Sequence, residues 1–348
     1  MAAASQTVRE RFSRQVLFPG VGLEGQGRIE RAHVAVVGVG ATGAAAASLL
    51  ARAGVGTLTL IDRDFVEESN LQRQVLFDEA DARDSLPKAE AARRKIAGFN
   101  SEIQIRAHVA DLVPGNIHSL LEGADILLDA TDNFETRYLL NDYAVEQKKP
   151  WIYAAAVGSY AVTMNILPGN IVQGETACLA CIFPEPPGGA VETCDTAGIL
   201  NTAVNLAASI EVTEALKWIV GARDKMRRTL LSCDVWTNEW SEVQAGTARA
   251  DCRVCGERDF VHLRGEGRPH ITLCGRNSVQ IHERSRPVDL AAMEERLRPH
   301  GLVQRNELLL RFRRGEHTLT LFADGRAIIQ GTTDAAVARS LYARFVGS

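Results

Sequence analysis

Two C-x-x-C pairs, Cys178 with Cys181 and Cys252 with Cys255, account for four of the seven cysteines in the chain. Four thiolates suit a tetrahedral structural zinc that leaves no coordination position open. Seventy residues separate the two pairs, more than a compact zinc ribbon uses, so the spacing alone also leaves room for a redox pair. Cys194, in "VETCDTAGIL", stands apart from both pairs. It precedes a predicted helix, and a thiol near a helix N-terminus has a stabilised thiolate, so Cys194 is a candidate nucleophile. Cys233 falls in a predicted strand and reads as core, and Cys274 as structural.

A second group of residues carries anion chemistry. "GVGATG", Gly38 to Gly43, is a G-x-G-x-x-G segment directly after an apolar run, and Asp62 follows nineteen residues later. Such glycines let the backbone approach phosphates at a helix N-terminus, and the acid accepts from ribose hydroxyls. The pattern fits a dinucleotide as well as ATP, so an NAD(P)-dependent oxidoreductase is a competing reading. No G-x-x-x-x-G-K-[ST] occurs, which argues against a P-loop enzyme. Beyond Asp62, "DRDFVEESNLQRQ" brings Asn70, Gln72 and Arg73, and Lys88 opens the next helix. Two cations beside a glycine loop suit a triphosphate whose charge grows as pyrophosphate leaves. In "LLDATDN", Asp129 is read within a strand and Asp132 at its carboxyl end, where a carboxylate can hold magnesium against phosphate. Capping of the following helix is the structural alternative for Asp132.

The elements that must position these groups follow from periodicity. "AHVAVVGVGATGAAAASLLARAGVGTLTLIDRD" reads as strand, glycine turn, Ala-rich helix and strand, a β-α-β unit that demands a parallel sheet. Further strands are predicted at "IQIRAHVA", "DILLDA", "PWIYAAA" and "SYAVTMNIL", and helices at "PKAEAARRKIAGFN" and "FETRYLLNDYAVEQ". Ala32 to about Leu167 is expected to form a doubly wound α/β core. Pro168 to Pro187 reads as a loop, "TAGILNTAVNLAASIEVTEALKWIVG" as a long helix packed on the core, and "LLSCDVWTNEWSEVQ" as strand. The last ninety residues read as a small β-α-β-β-β-α module, giving expected domains of 1–258 and 259–348.

The chain of 348 residues has a formal net charge of −4, from 39 basic and 43 acidic residues, so it has no general attraction for nucleic acid or anionic membranes. The N-terminus lacks the apolar core of a signal peptide, and no apolar run is long enough to span a bilayer, so a cytoplasmic protein is expected. Cysteines in such a setting serve metals or catalysis more than disulfides.

Glycine loop, Asp62, "SNLQRQ", Lys88, "ATDN", the paired C-x-x-C motifs and "ETC" occur over Arg11 to Glu257, and together they resemble the MoeB/ThiF family, prokaryotic relatives of ubiquitin-activating enzymes. The resemblance implies a Rossmann-like, mostly parallel sheet with a crossover loop and a structural zinc held by the four paired cysteines. It implies an adenylyltransferase that uses ATP and Mg²⁺ to adenylate the C-terminal glycine of a ubiquitin-like sulfur-carrier protein ending in Gly-Gly. The implied nucleotide contacts are Gly38, Gly40, Ala41, Gly43, Asp62, Asp64, Ser69, Asn70, Leu71, Gln72, Arg73, Lys88, Asp132 and Asn133. Arg73, Lys88 and Asp132 would do the catalytic work, with Asp132 on magnesium. Arg14 of "RFSRQ" would reach into the partner's site in a homodimer, and Cys194 would carry a covalent carrier intermediate. Ala41 departs from the further glycine that many members carry there. The C-terminal module lacks a rhodanese-like C-R-x-G-x-[ST] loop and is expected to dock the carrier, a sulfurtransferase or a cysteine desulfurase. A non-catalytic, zinc-stabilised scaffold is the remaining alternative.

Overall fold

A computed structural model describes residues 10–169, 176–185, 196–265, 271–274, 278–281 and 287–347. The chain divides into two compact units, Met1–Glu266 and Gly267–Ser348.

In the first unit, helix α1 (Gly22–Ile29) precedes β1 (His33–Val37), α2 (Ala41–Ala53), β2 (Thr57–Asp62), α3 (Lys88–Ala97), β3 (Gln104–Val109), β4 (Ile126–Asp129), α4 (Phe134–Glu146), β5 (Trp151–Val157) and β6 (Tyr160–Ile166). Helix α5 (Asn201–Val220) then leads to β7 (Thr229–Asp234) and β8 (Glu239–Gln244). These strands form one sheet in the order β3-β2-β1-β4-β5-β6-β7-β8. Neighbours from β3 to β5 run parallel, and β5 to β8 form an antiparallel meander. Strands β1, β4 and most of β2 are buried on both faces, which is why they read as unbroken apolar runs instead of alternating ones. The small side chains Ala44 to Ala47 of α2 are buried and let that helix lie close to the sheet. Gly54, at φ 86° in the left-handed region, ends it.

Helices α2, α3 and α5 share one apolar core with one face of the sheet, while α4 and the cysteine-bearing segments share a second core with the other face. This is the doubly wound arrangement expected. Three local expectations change. The stretch from Pro168 to Pro187 contains a short helix, Leu179–Ile182, and its residues 170–175, 186 and 187 lie outside the described residues. "LLSCDVWTNEWSEVQ" is two strands, because Asn238 adopts a left-handed φ of 60° and turns the chain back. The long helix starts at Asn201, five residues later than its apolar signal.

The second unit contains β9 (Ile271–Cys274), β10 (Ser278–Ile281), α6 (Leu290–Leu297), β11 (Leu302–Arg305), β12 (Leu309–Arg314), β13 (His317–Phe322), β14 (Ala327–Gln330) and α7 (Ala335–Phe345). Its antiparallel sheet runs β11-β12-β13-β14-β10-β9. Leu290, Met293 and Leu297 of α6 and Ala338, Tyr342 and Phe345 of α7 share a core with Phe312, Leu321 and Ile329 of the sheet. Four strands are expected from periodicity where six are found. The two additions are β11, which pairs with β12, and the division of "ITLCGRNSVQI" into the antiparallel pair β9 and β10. The boundary also moves, to Glu266, because residues 259–265 belong with the first unit: the His262 and Leu263 backbone N–H groups donate to Asp142 on α4.

Candidate active site and thiolate cluster

Val37 and Asp129 are register partners at the carboxyl ends of β1 and β4. Here the sheet order reverses, and the crevice beyond these ends is where open α/β sheets take ligands. The loop after β1 meets the turn after β4. Gly38 has φ 87°, and a Cβ on it would lie 2.6 Å from the Ala130 carbonyl oxygen. A Cβ on Gly43 would overlap the Gly38 carbonyl oxygen, whereas one on Gly40 would meet nothing within 4 Å. The N-terminus of α2, with Gly40 as N-cap and Ala41 as first residue, has no side-chain cap. No side chain caps its first-turn N–H groups, and the space at Gly40 is open at the positive end of the helix, which fits a phosphate. Gly38→Ala is expected to lower stability by roughly 2 to 4 kcal/mol through left-handed strain and overlap, measured by denaturant unfolding. A change within about 0.5 kcal/mol, the range of an ordinary surface substitution, would show that the loop can rearrange.

Asp62 fastens this loop. Its Oδ2 accepts from the Val39 N–H at 2.6 Å and its Oδ1 from the Asp64 N–H at 2.7 Å. Burial pushes its carboxyl above the usual range, with Lys88 pulling the other way. Lys88 begins α3 with its backbone N–H on the Asp64 carbonyl, and its Nζ lies 3.4 Å from Asp64 Oδ2. Asn70 ends a short 3-10 turn and is 1% exposed. Its Oδ1 accepts from the Glu67 N–H at 3.1 Å, but its Nδ2 has no partner among the described residues. A buried amide donor left unpaired costs about 1 to 3 kcal/mol, so a nucleotide oxygen there would relieve a defect. Arg73 is half-buried and donates from Nη1 to the Ser69 carbonyl at 3.0 Å. Leu71 packs against the apolar core. Gln72 is tied to the start of α5: its Nε2 donates to the Ile199 carbonyl at 3.5 Å, and its own carbonyl accepts from Asn201 at 3.3 Å.

Asp132 is exposed at the turn after β4. The N-cap of α4 is Asn133, whose Oδ1 accepts from the Thr136 N–H at 2.9 Å, so capping does not occupy Asp132. A single exposed carboxylate beside a phosphate cradle fits Mg²⁺, which takes one or two carboxylates and completes its shell with phosphate and water. Arg14 is exposed on the helical turn Ser13–Val16. That turn is held from its other side by Phe12, buried at Gly54, and by Gln15, which donates to the Ala53 carbonyl at 2.9 Å.

The sulfurs of Cys178, Cys181, Cys252 and Cys255 all lie within 4.8 Å of one another. Cys178 is 3.8 Å from Cys181 and 3.6 Å from Cys252, and Cys181 is 3.4 Å from Cys255. Zinc–thiolate bonds of about 2.3 Å make tetrahedron edges of about 3.8 Å, so the four thiols fit zinc. The Arg249 N–H donates to Cys181 Sγ at 3.4 Å and Asn141 Nδ2 to Cys178 Sγ at 3.7 Å, as outer donors to metal thiolates do. Close approaches between members of different pairs fit a shared ion better than two separate redox pairs. Cys233 is buried with Ala161 and Ala207, away from the cluster.

Residues 12–254 match the model of the ThiF family. The chain belongs to the ThiF family. It is 44% identical over 342 residues, covering 97% of this chain and 99% of the relative, to the sulfur carrier protein ThiS adenylyltransferase of Bacillus subtilis. It is 36% identical over 252 residues to the SAMP-activating enzyme E1 of Haloferax volcanii, covering 72% of this chain and 90% of that one. Among solved structures, Escherichia coli MccB with MccA-N7isoASN superposes with a TM-score of 0.62 at 25% identity, covering 71% of this chain and 74% of that one.

In this ThiF-family chain, the glycine loop, Asp62, Asp64 and Lys88 form one connected group, and the loop itself meets the turn that leads to Asp132. Cys194 lies outside the described residues, and α5, the helix it is expected to precede, begins seven positions after it. Sequence reasoning missed three buried polar residues of α4. Arg137 bonds Asp129 and the Thr131 carbonyl, Asn141 accepts from the Leu179 N–H at 2.8 Å, and Asp142 holds residues 262 and 263. Their signal was the absence of any polar stripe: almost every residue from Thr136 to Val145 is buried, so each polar group there needs a partner.

Asp142 makes the stability of this region depend on pH. Burial pushes its carboxyl up to about 6, with the His262 and Leu263 N–H bonds opposing, from a usual value of 3.8. Because the folded value is the higher one, the contribution is fully present below about pH 4 and lost as pH rises through 6, amounting to roughly 3 kcal/mol at most. Asp142→Asn retains an oxygen acceptor without titrating. Its stability relative to the parent should rise between about pH 4 and 7, and parallel curves in pH-dependent denaturant unfolding would refute this.

Proposed function

We propose that this protein uses ATP and Mg²⁺ to adenylate the C-terminal glycine of a ubiquitin-like sulfur carrier ending in Gly-Gly. The carboxylate oxygen forms a bond to the α-phosphorus, the bond from that phosphorus to the bridging oxygen breaks, and pyrophosphate leaves with the electron pair. The observation that carries the reading is the N-terminus of α2, without a side-chain cap at the sheet's reversal point and linked through Asp62 and Asp64 to Lys88. Phosphates would rest on the α2 amides, and Asn70, Arg73 and Lys88 would neutralise the leaving pyrophosphate. Asp62 would meet the ribose with lone pairs left over from the loop. Asp132 would hold magnesium, which supplies charge neutralisation on the phosphates. No protein nucleophile is required, because the reaction asks for positioning and charge.

The relatives in Bacillus subtilis and Haloferax volcanii support the carrier as substrate. Zinc at the four cysteines would have a structural role. The homodimer reading, with Arg14 acting in trans, is supported by the exposed Leu17, Phe18 and Leu23 near Arg14 in sequence, an apolar group that a second copy would cover. Cys194 would form the covalent carrier adduct. The second unit would dock the carrier or a sulfurtransferase, and the protein would work in the cytoplasm. No described helix is long and apolar enough to cross a membrane.

Carrier-dependent exchange of labelled pyrophosphate into ATP tests the central reading. Exchange that requires a Gly-Gly carrier and Mg²⁺ is expected. Tight nicotinamide binding without exchange would replace it with the oxidoreductase reading.

A further inference from the structure

The turn that presents Asp132 is built on a buried ion pair. Asp129 is fully buried at the end of β4, and its Oδ1 accepts from both the N–H and the hydroxyl of Thr131, at 3.0 and 2.6 Å. Arg137 reaches back from α4 with Nε 3.2 Å from Asp129 Oδ2 and Nη2 2.6 Å from the Thr131 carbonyl. The guanidinium also lies 5.1 Å from the centre of the Tyr153 ring and 5.3 Å from that of Phe134. The planar fork thus clamps both ends of the turn that runs from Asp129 to Thr131, immediately before Asp132.

A second acid lies behind the pair. Glu211 of α5 is fully buried, with its carboxyl group facing the backbone N–H of Asp129. Burial first, and then the neighbouring Asp129, push its carboxyl well above the usual range, with the Asp129 backbone N–H opposing.

From this arrangement we infer that Arg137 is a positioning residue for the metal-holding carboxylate: it fixes the 129–131 turn so that Asp132 meets Mg²⁺ in one geometry. This rests on the adenylation reading above. Arg137→Lys keeps the charge beside Asp129 but puts a single ammonium where a fork spans two acceptors. Calorimetric titration of Mg²⁺ into protein saturated with a non-hydrolysable ATP analogue should show affinity reduced by about tenfold or more, the range seen when outer-shell partners of metal ligands are lost. The lowered exchange rate should recover as Mg²⁺ is raised, which a general folding defect would not allow. Asp129→Asn keeps the shape and carries the same test if Arg137→Lys does not fold. Folded variants that bind Mg²⁺ as the parent does would overturn the inference. Failure of the parent itself to catalyse carrier-dependent exchange would instead remove the adenylation reading.

Discussion

Cys178→Ser is expected to lower the thermal midpoint by roughly 8 to 16 °C and to release bound zinc. Cys178 is 1% exposed and touches two other cysteines of the cluster, and Asn141 holds it from α4. Serine is a poor zinc ligand, and loss of the ion would free the segments around Leu179 and Val254 from the second core of the unit. Zinc supplies about 10 to 16 kcal/mol in small zinc-finger peptides. A loss of only about 4 kcal/mol already corresponds to the stated shift for a unit of this size. Metal analysis and calorimetry check it, with Cys233→Ser as a comparison whose sulfur lies outside the cluster. Full metal content and an unchanged midpoint in Cys178→Ser would reject the zinc assignment.

Lys88→Ala carries the second large effect. The ammonium is 3.4 Å from Asp64 and its side chain is 10% exposed, at the start of α3. Removing one preorganised charge that meets a developing anion costs about 10² to 10³ in rate. The folded protein should tolerate the change, because Asp64 is partly exposed and can be solvated when its partner is gone. Single-turnover formation of the carrier adenylate should fall by that factor while the thermal midpoint moves little. A loss below about tenfold would mean that Arg73 and the α2 amides suffice.

The chemistry-bearing residues were legible because they belong to short motifs with their own local physics. Gly38 must adopt a left-handed φ, Lys88 follows a proline at a helix start, and the C-x-x-C pairs announce themselves by spacing. The parallel half of the sheet was legible because β1, β2 and β4 are buried on both faces and read as unbroken apolar runs. What was not legible depends on pairing at a distance. The partnership of Arg137 with Asp129 looks, in sequence, like two ordinary charges eight positions apart. The fate of Asp142 depends on residues 262 and 263, far along the chain and in a stretch that sequence reading assigned to the other domain. Strands were hidden where the turn at Asn238 divides a segment that reads as continuous, and where "ITLCGRNSVQI", read as one strand, forms β9 and β10.

The thiolate cluster has a consequence for the order in which the molecule is made. Its two halves lie 74 positions apart, so Cys178 and Cys181 leave the ribosome before Cys252 and Cys255 exist. At synthesis rates of about 5 to 20 residues per second, that interval lasts roughly 4 to 15 s. During it β5 and β6 can form, but α4 has no completed cap to cover its outward side. Closure of the first unit around the cluster therefore waits until Cys252 and Cys255 have been made and, under the zinc reading proposed above, until an ion is bound.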